Sequence, residues 1–384
     1  SLLRAMVTGN WSDYRILVVP PGHHSVSAPG EEVMSFASGV ETHLDQILGR
    51  YRRPHELPEP ERAGIGLGID TGGTYTDAVV YDFGTNEVLA SAKSPTIHSN
   101  LLRGIRGAME QLPRELLSRV ARVGLSTTLA TNAFVERKGR PVALLLMSPF
   151  AVNEEDYPFR FVRHVAGALT MEGTERESVC LDEIEVVARQ AAAAGCEAIA
   201  VSGFGGVVDP AHELLVARTA LAASGLHAVC GHELTSRLNF KERATTAAMN
   251  AKLVPMIESL IESVEQALAE FGLVEARIMM VKGDGSQMLA AAAKATPVET
   301  VLSGPAASVV GAARLTGCQD AVVADMGGTT LDVAVLRHGL PIMREEGARI
   351  GDFATSVAAM AVQTIGLGGD SEIDLSGWPK GKIG

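Results

Sequence analysis

Aromatic residues are scarce, 4% of the chain, and positive charge is in deficit: 33 Lys and Arg stand against 45 Asp and Glu, a formal net charge of −12. With neither a basic groove nor a stacking platform, nucleic acid is excluded as an expected partner. Cysteine is sparse as well. The four thiols, Cys180, Cys196, Cys230 and Cys318, are widely spaced, with no C-x-x-C pair and no paired histidines nearby. Cys196 and Cys230 border strand-like runs and read as buried reduced thiols rather than metal ligands or nucleophiles. No apolar run of membrane-spanning length lacks a charged or polar break, and the first twenty residues hold no apolar signal-peptide core. The expectation is a cytoplasmic protein with no membrane contact.

What remains is the balance of a folded protein, 46% hydrophobic and 20% charged, on a chain long enough for two or three domains. The first sixty or so residues stand apart. They hold a short strand candidate at residues 15–19, the pair His23-His24 in a loop setting, a helix candidate at 40–48 and a charged, Pro-rich linker at 52–62. Beyond them short apolar strands alternate with helical patterns, the signature of an α/β fold with a mostly parallel layer. The opening strands near residues 66–94 are antiparallel in character, so the sheet is expected to be mixed. The longest helical pattern runs from Lys241 toward Phe271, with Leu253, Ile257, Leu260, Ile261, Val264 and Leu268 on one stripe. Pro255 is expected to bend or split it. Gly304-Pro305 reads as a fixed turn, and the alanines at 290–293 as helix packing.

Two stretches 255 residues apart spell nearly the same pattern: Ile69-Asp70-Thr71-Gly72-Gly73-Thr74-Tyr75-Thr76-Asp77 and Ala324-Asp325-Met326-Gly327-Gly328-Thr329-Thr330-Leu331-Asp332. Each is an apolar strand ending in Asp, a Gly-Gly-Thr turn, a second Asp and another apolar strand. A Gly-Gly pair lets backbone N–H groups approach an oxyanion without interference from Cβ. One copy alone also makes an ordinary hairpin turn. Two copies suggest one phosphate chain gripped from both sides. Asp70 and Asp325 would stand at a sheet edge beside the phosphates, where two carboxylates can hold Mg²⁺ or orient an attacking group. Phosphoryl transfer requires little beyond such positioning and charge neutralisation.

These residues carry a resemblance. Gly68-Ile69-Asp70-Thr71-Gly72-Gly73-Thr74 and the stretch from Asp325 to Val333 resemble the two phosphate loops of the superfamily of actin, sugar kinases and the 70-kilodalton heat-shock chaperones. More narrowly, the motif order is similar to that of the hydantoinase/5-oxoprolinase A-subunit family. The supporting stretches are Ser126-Thr127-Thr128-Leu129-Ala130-Thr131-Asn132-Ala133, Asp209-Pro210-Ala211-His212-Glu213, residues 242–251, Leu302-Ser303-Gly304-Pro305-Ala306-Ala307-Ser308 and residues 365–371. The resemblance implies an enzyme that uses ATP and Mg²⁺ to open a small cyclic amide such as 5-oxoproline or a hydantoin, by phosphorylating the ring carbonyl oxygen. It implies phosphate contacts from Gly72, Gly73, Thr74, Gly327, Gly328 and Thr329, with Asp70 and Asp325 serving Mg²⁺ or the attacking oxygen. It places Thr128, Thr131 and Asn132 in the cleft facing the γ-phosphate, and Ser303 and Gly304 near the nucleotide. Thr128 and Asn132 read equally well as a helix cap after a strand. Gly283-Asp284-Gly285-Ser286 departs from the Asn-Gly-Gly type of loop usual in the family, which leaves the choice of substrate open.

The expected architecture is an α/β, two-lobed actin-like (ribonuclease H-like) ATPase fold with mixed sheets. Residues 1–62 form a segment and linker without an assigned role, residues 63–240 a first lobe with the first phosphate loop, and residues 241–384 a connecting helix and the start of a second lobe. With about fifty residues after Asp332, that second lobe is expected to be incomplete. A B-type partner subunit is implied by the family, and a homo-oligomer is compatible with the sequence. Two other functions need the same cleft: a small-molecule kinase, and a nucleotide-dependent switch or assembly subunit.

Overall fold

The computed structural model describes residues 64–135, 139–326, 331–344, 346–351 and 353–365, with the backbone of 373–374 and 382–383. The expectations for residues 1–62, for Gly327, Gly328 and Thr329, and for residues 366–371 lie outside the described residues.

The chain opens with a three-stranded antiparallel meander, β1 (Ile65–Thr71), β2 (Tyr75–Asp82) and β3 (Glu87–Pro95), then α1 (Leu101–Met109), β4 (Val120–Thr127) and α2 (Leu129–Val135). A second set comes next: β5 (Val142–Met147), β6 (Phe161–His164), α3 (Leu181–Ala193), β7 (Ala198–Gly203), α4 (Ala211–Ser224) and β8 (His227–Cys230). The long helix α5 (Phe240–Glu270) precedes β9 (Arg277–Val281) and β10 (Gln287–Leu289). Helix α6 (Ser303–Thr316) leads into the last sheet, built from β11 (Ala321–Met326), β12 (Leu331–Arg337) and β13 (Val362–Ile365).

The first sheet has the order β10-β9-β4-β1-β2-β3, with β4 parallel to β1 and β9 parallel to β4. It is mixed, as its sequence pattern predicts. Ile65, Leu67 and Ile69 alternate along β1 and enter one core with Ile105 and Met109 of α1 and Ile257, Leu260, Ile261 and Val264 of α5. The second sheet, β8-β7-β5-β6, is parallel throughout. Every residue of β5 is buried, as expected of a strand covered on both faces. Ala143, Leu145 and Met147 pack with α3 and α4, while Val142, Leu144 and Leu146 pack with Ala244, Ala247, Ala248 and Ala251 of α5. Small residues in the first half of α5 thus let it lie close to the second sheet, and larger ones in its second half fill the first. The third sheet is antiparallel, with β12 between β11 and β13.

Helix α5 is continuous through Pro255, so the expected split does not occur. Proline has no N–H for the carbonyl four residues earlier. That carbonyl, Ala251, accepts a hydrogen bond from Arg140 Nε at 2.5 Å instead. Gly304-Pro305 is likewise corrected from a turn to the first turn of α6, where proline is tolerated because its missing N–H would have no partner in the helix.

Candidate nucleotide site

Parallel pairing brings the carboxyl ends of β1 and β4 to one edge, with Asp70 beside Ser126 and Thr71 beside Thr127. Partners in register share a face of the sheet, so Ser126 Oγ reaches Asp70 and donates to Oδ1 at 2.6 Å. Burial is the main influence on Asp70 and pushes its carboxyl above the usual carboxylate range. The Ser126 hydrogen bond opposes that rise, the charges of Asp77 and Asp325 add to it, and Lys93 opposes it.

The turn after β1 is closed by Gly72 N–H donating to the Tyr75 carbonyl at 3.0 Å. A side chain at Gly72 would put its Cβ 2.9 Å from that oxygen, so the turn requires glycine. Gly73 and Thr74 are exposed. A Cβ on Gly73 would lie 3.4 Å from Asn132 Nδ2, which places Asn132 directly across from the turn. Asn132 Nδ2 in turn donates to Thr128 Oγ1 at 3.3 Å. The hydroxyl that caps α2 belongs to Thr127, which accepts from Leu129 N–H at 3.1 Å, leaving Thr128 and Asn132 to face the glycines.

Helix α6 docks on the same edge. Ser303 is fully buried, and its hydroxyl accepts from Thr127 N–H at 3.2 Å and donates to the Thr127 carbonyl at 2.9 Å. Thr131 Oγ1 accepts from Leu302 N–H at 3.1 Å, holding Leu302 at φ 62°, a backbone region costly for a branched side chain. A Cβ on Gly304 would meet Thr128 Cγ2 at 3.3 Å. The amino end of α6 has no side-chain cap and no acidic residue in its first turn, so its N–H groups and dipole are available to an anion beside Thr128.

The strands of the second copy pair as those of the first do. Asp70 lies opposite Asp77 across β1 and β2, and Asp325 lies opposite Asp332 across β11 and β12. Ser308 Oγ of α6 donates to Asp325 Oδ2 at 2.5 Å, and Thr364 Oγ1 of β13 donates to Asp332 Oδ1 at 2.6 Å. Burial raises the Asp332 carboxyl; Thr364 opposes this and Asp325 adds to it. The structure therefore gathers Asp70, Gly72, Gly73, Thr128, Thr131, Asn132, Ser303 and Gly304 at one edge, with Asp325 close enough for its charge to act on Asp70. Crowded carboxylates offering only oxygen suit a hard divalent cation, which would relieve their mutual repulsion. The donor set fits Mg²⁺.

Four participants had no role assigned in the sequence reading: Ser126, Ser308, Thr364 and His98. His98 Nε2 lies 2.8 Å from the Gly73 carbonyl; since a carbonyl only accepts, that nitrogen carries the proton. Knowing that β4 ends level with β1 would have found Ser126. Ser308 lies in a stretch that carries the family resemblance but gives no hint of its partner, and no local pattern marks Thr364 or His98.

Away from this edge, Asp209-Pro210-Ala211-His212-Glu213 leads to a buried anchor. Glu213 Oε1 accepts from Gly203 N–H at 2.7 Å, and Oε2 accepts from His232 N–H at 2.9 Å and Nδ1 at 2.6 Å. A Cβ on Gly206 would fall 2.2 Å from Oε1, so glycine there admits the carboxylate. Arg243, fully buried, donates to the carbonyls of Arg237, Gly203 and Phe204. Together they fasten the carboxyl end of β7 to α5.

Known proteins share this arrangement of motifs over most of the chain. Residues 66–223 match the family described as Hydantoinase/oxoprolinase N-terminal region, and residues 243–381 match Hydantoinase/oxoprolinase. Caprolactamase subunit alpha of Pseudomonas jessenii is 26% identical over 352 residues, covering 83% of this chain and 50% of the relative. The 5-oxoprolinase of Saccharomyces cerevisiae is 25% identical over 393 residues, covering 84% and 29%. A nucleotide-free structure of acetone carboxylase superposes with a TM-score of 0.67 at 20% identity, over 84% of this chain and 51% of that one. The chain thus spans about half or less of the length of these proteins. The structural likeness establishes the fold, the α/β architecture with mixed sheets.

Proposed function

Because the chain belongs to the hydantoinase/oxoprolinase family, we propose that it forms the nucleotide-binding part of an ATP-dependent cyclic amidase, acting on a hydantoin or a lactam of the 5-oxoproline type. The observation that carries this reading is the repeated hairpin, with an Asp opposite an Asp in each copy and Asp325 acting on Asp70. The two hairpins belong to two lobes, the first built on residues 63–240 and completed by β9 and β10, the second on the strands after α6. Gly72, Gly73 and Thr74 would take the phosphates, and by the sequence repeat Gly327, Gly328 and Thr329 are assigned the same role. Thr128 and Asn132 face the terminal phosphate across the first turn. Asp70 and Asp325 would hold Mg²⁺, which would supply neutralisation of the phosphate charge.

In the reaction the ring carbonyl oxygen attacks the γ-phosphorus and ADP leaves. Water then adds to the carbonyl carbon, and the C–N bond breaks as the nitrogen takes a proton. A second water removes the phosphoryl group from the acyl phosphate, leaving the ring-opened acid, ADP and phosphate. The names of the relatives support a B-type partner subunit, and the use of ATP supports a cytoplasmic setting. Among the described residues no helix is long and apolar enough to cross a membrane.

The test is a thermal shift with Mg-ATP and then product analysis. A ligand that binds only the folded chain raises its melting temperature by mass action, by about 2.7 kcal/mol of stability at a hundred times Kd. The shift should appear with Mg-ATP and disappear in Asp70→Ala and Asp325→Ala. Incubation with a cyclic amide, with the partner subunit present, should then release ring-opened acid, ADP and phosphate in equal amounts. A stable phosphorylated product would make the protein a kinase instead.

A further inference from the structure

Three of the four carboxylates of the duplicated hairpins, Asp70, Asp325 and Asp332, have a hydroxyl partner brought by a different element. Ser126 of β4 donates to Asp70 Oδ1 at 2.6 Å, Ser308 of α6 to Asp325 Oδ2 at 2.5 Å, and Thr364 of β13 to Asp332 Oδ1 at 2.6 Å. These are short, charge-assisted bonds. A carboxylate has two oxygens. Among the described residues no protein donor reaches the second oxygen of Asp70 or of Asp325, so each acid has one oxygen fixed by the protein and one left over.

The fixing elements are themselves rigid. Ser126 is buried within a strand flanked on both sides by parallel neighbours. Ser308 lies in the helix whose first residue, Ser303, is locked to both backbone groups of Thr127. The two hydroxyls are therefore tied to one another through β4: Ser126 is the neighbour of Thr127, and Thr127 holds α6.

We propose that Ser126 and Ser308 are a matched pair of positioning residues, each holding one oxygen of its aspartate so that the remaining oxygens of Asp70 and Asp325 are presented to one shared divalent cation. The pairing rests on the nucleotide-site reading and assigns cation affinity to two residues outside the glycine turns. Hydroxyl donors of this kind restrict carboxylate rotation before the ion arrives, and loss of such outer partners in metal sites typically weakens affinity about 10–100-fold.

Mn²⁺ is the probe, titrated into the full chain with the free ion tracked by electron paramagnetic resonance, with no nucleotide and again with ADP. Ser126→Ala and Ser308→Ala should each weaken Mn²⁺ binding about tenfold, the lower end of that range. Ser126→Thr and Ser308→Thr keep the hydroxyl and should recover most of the loss, which a purely packing role would not predict. Ser308 is only half-buried, so its variants keep the test alive should Ser126→Ala fail to fold. Alanine variants that bind Mn²⁺ like the parent, or threonine variants no better than alanine, overturn the proposal while leaving the nucleotide site intact if Asp70→Ala and Asp325→Ala still abolish binding. A parent chain that binds neither Mn²⁺ nor ADP takes down both readings.

Discussion

The two buried thiols set a chemical contrast within one chain. Burial pushes the Cys230 thiol up to about 12, with Glu213 and Glu233 adding to the rise, and it raises Cys196 as well. Since the thiolate is the nucleophile, both should resist iodoacetamide at about pH 8 while exposed Cys180 and Cys318 react, as peptide mapping by mass spectrometry would show; labelling of all four should require denaturant. His232 offers a pH handle. Its hydrogen bond to Glu213 raises its proton affinity above the ordinary histidine value, against the effect of burial. A group raised on folding stabilises fully below its unfolded pKa and loses that contribution as pH climbs through the folded one. Melting temperature should therefore fall as pH rises above about 6.5 more steeply for the parent than for His232→Gln. At this scale the repeated Asp and Gly residues were legible because the pattern occurs twice. The roles of Ser126 and Ser308 were not, because their bonds to Asp70 and Asp325 cross 56 and 17 residues and depend on strand register and helix docking that no local pattern encodes.

Helix α5 shows how an element survives a residue that ought to break it. The apolar stripe from Leu253 to Leu268 announced the helix, while the tolerance of Pro255 depends on Arg140, which lies in a loop before β5 and carries no sequence signal. If Arg140 replaces the missing intrahelical donor, Arg140→Met should cost about 1.5–3 kcal/mol, the usual worth of a hydrogen bond to a charged group. In a Pro255→Ala background residue 255 regains its N–H, so the same substitution should cost less, by about 1 kcal/mol of coupling. Urea denaturation of the four variants measures both. A second element, α6, was legible in its small residues and not in its start: Gly304-Pro305 has the chemistry of a turn, and the contacts of Ser303 with Thr127 and of Leu302 with Thr131 accompany it as the first helical turn.

For the whole molecule, the alternation of strands and helices gave the α/β class and the mixed character of the first sheet. It did not reveal which strands pair. Four parallel strands, β5 to β8, are inserted between β4 and its neighbour β9, and no feature of β9 distinguishes it from a strand of a later sheet. The order of synthesis gives this interruption a consequence in time. On the ribosome, β5 to β8, the helices α3 and α4 on one face and α5 on the other all emerge while β4 still has an open edge, which Arg277 and its successors close. Domains fold as they emerge, and pairing between distant segments is slow. The whole inserted layer is thus synthesised before the edge that carries Asp70, Ser126 and the glycine turn gains the strand, β9, that flanks β4 on its other side.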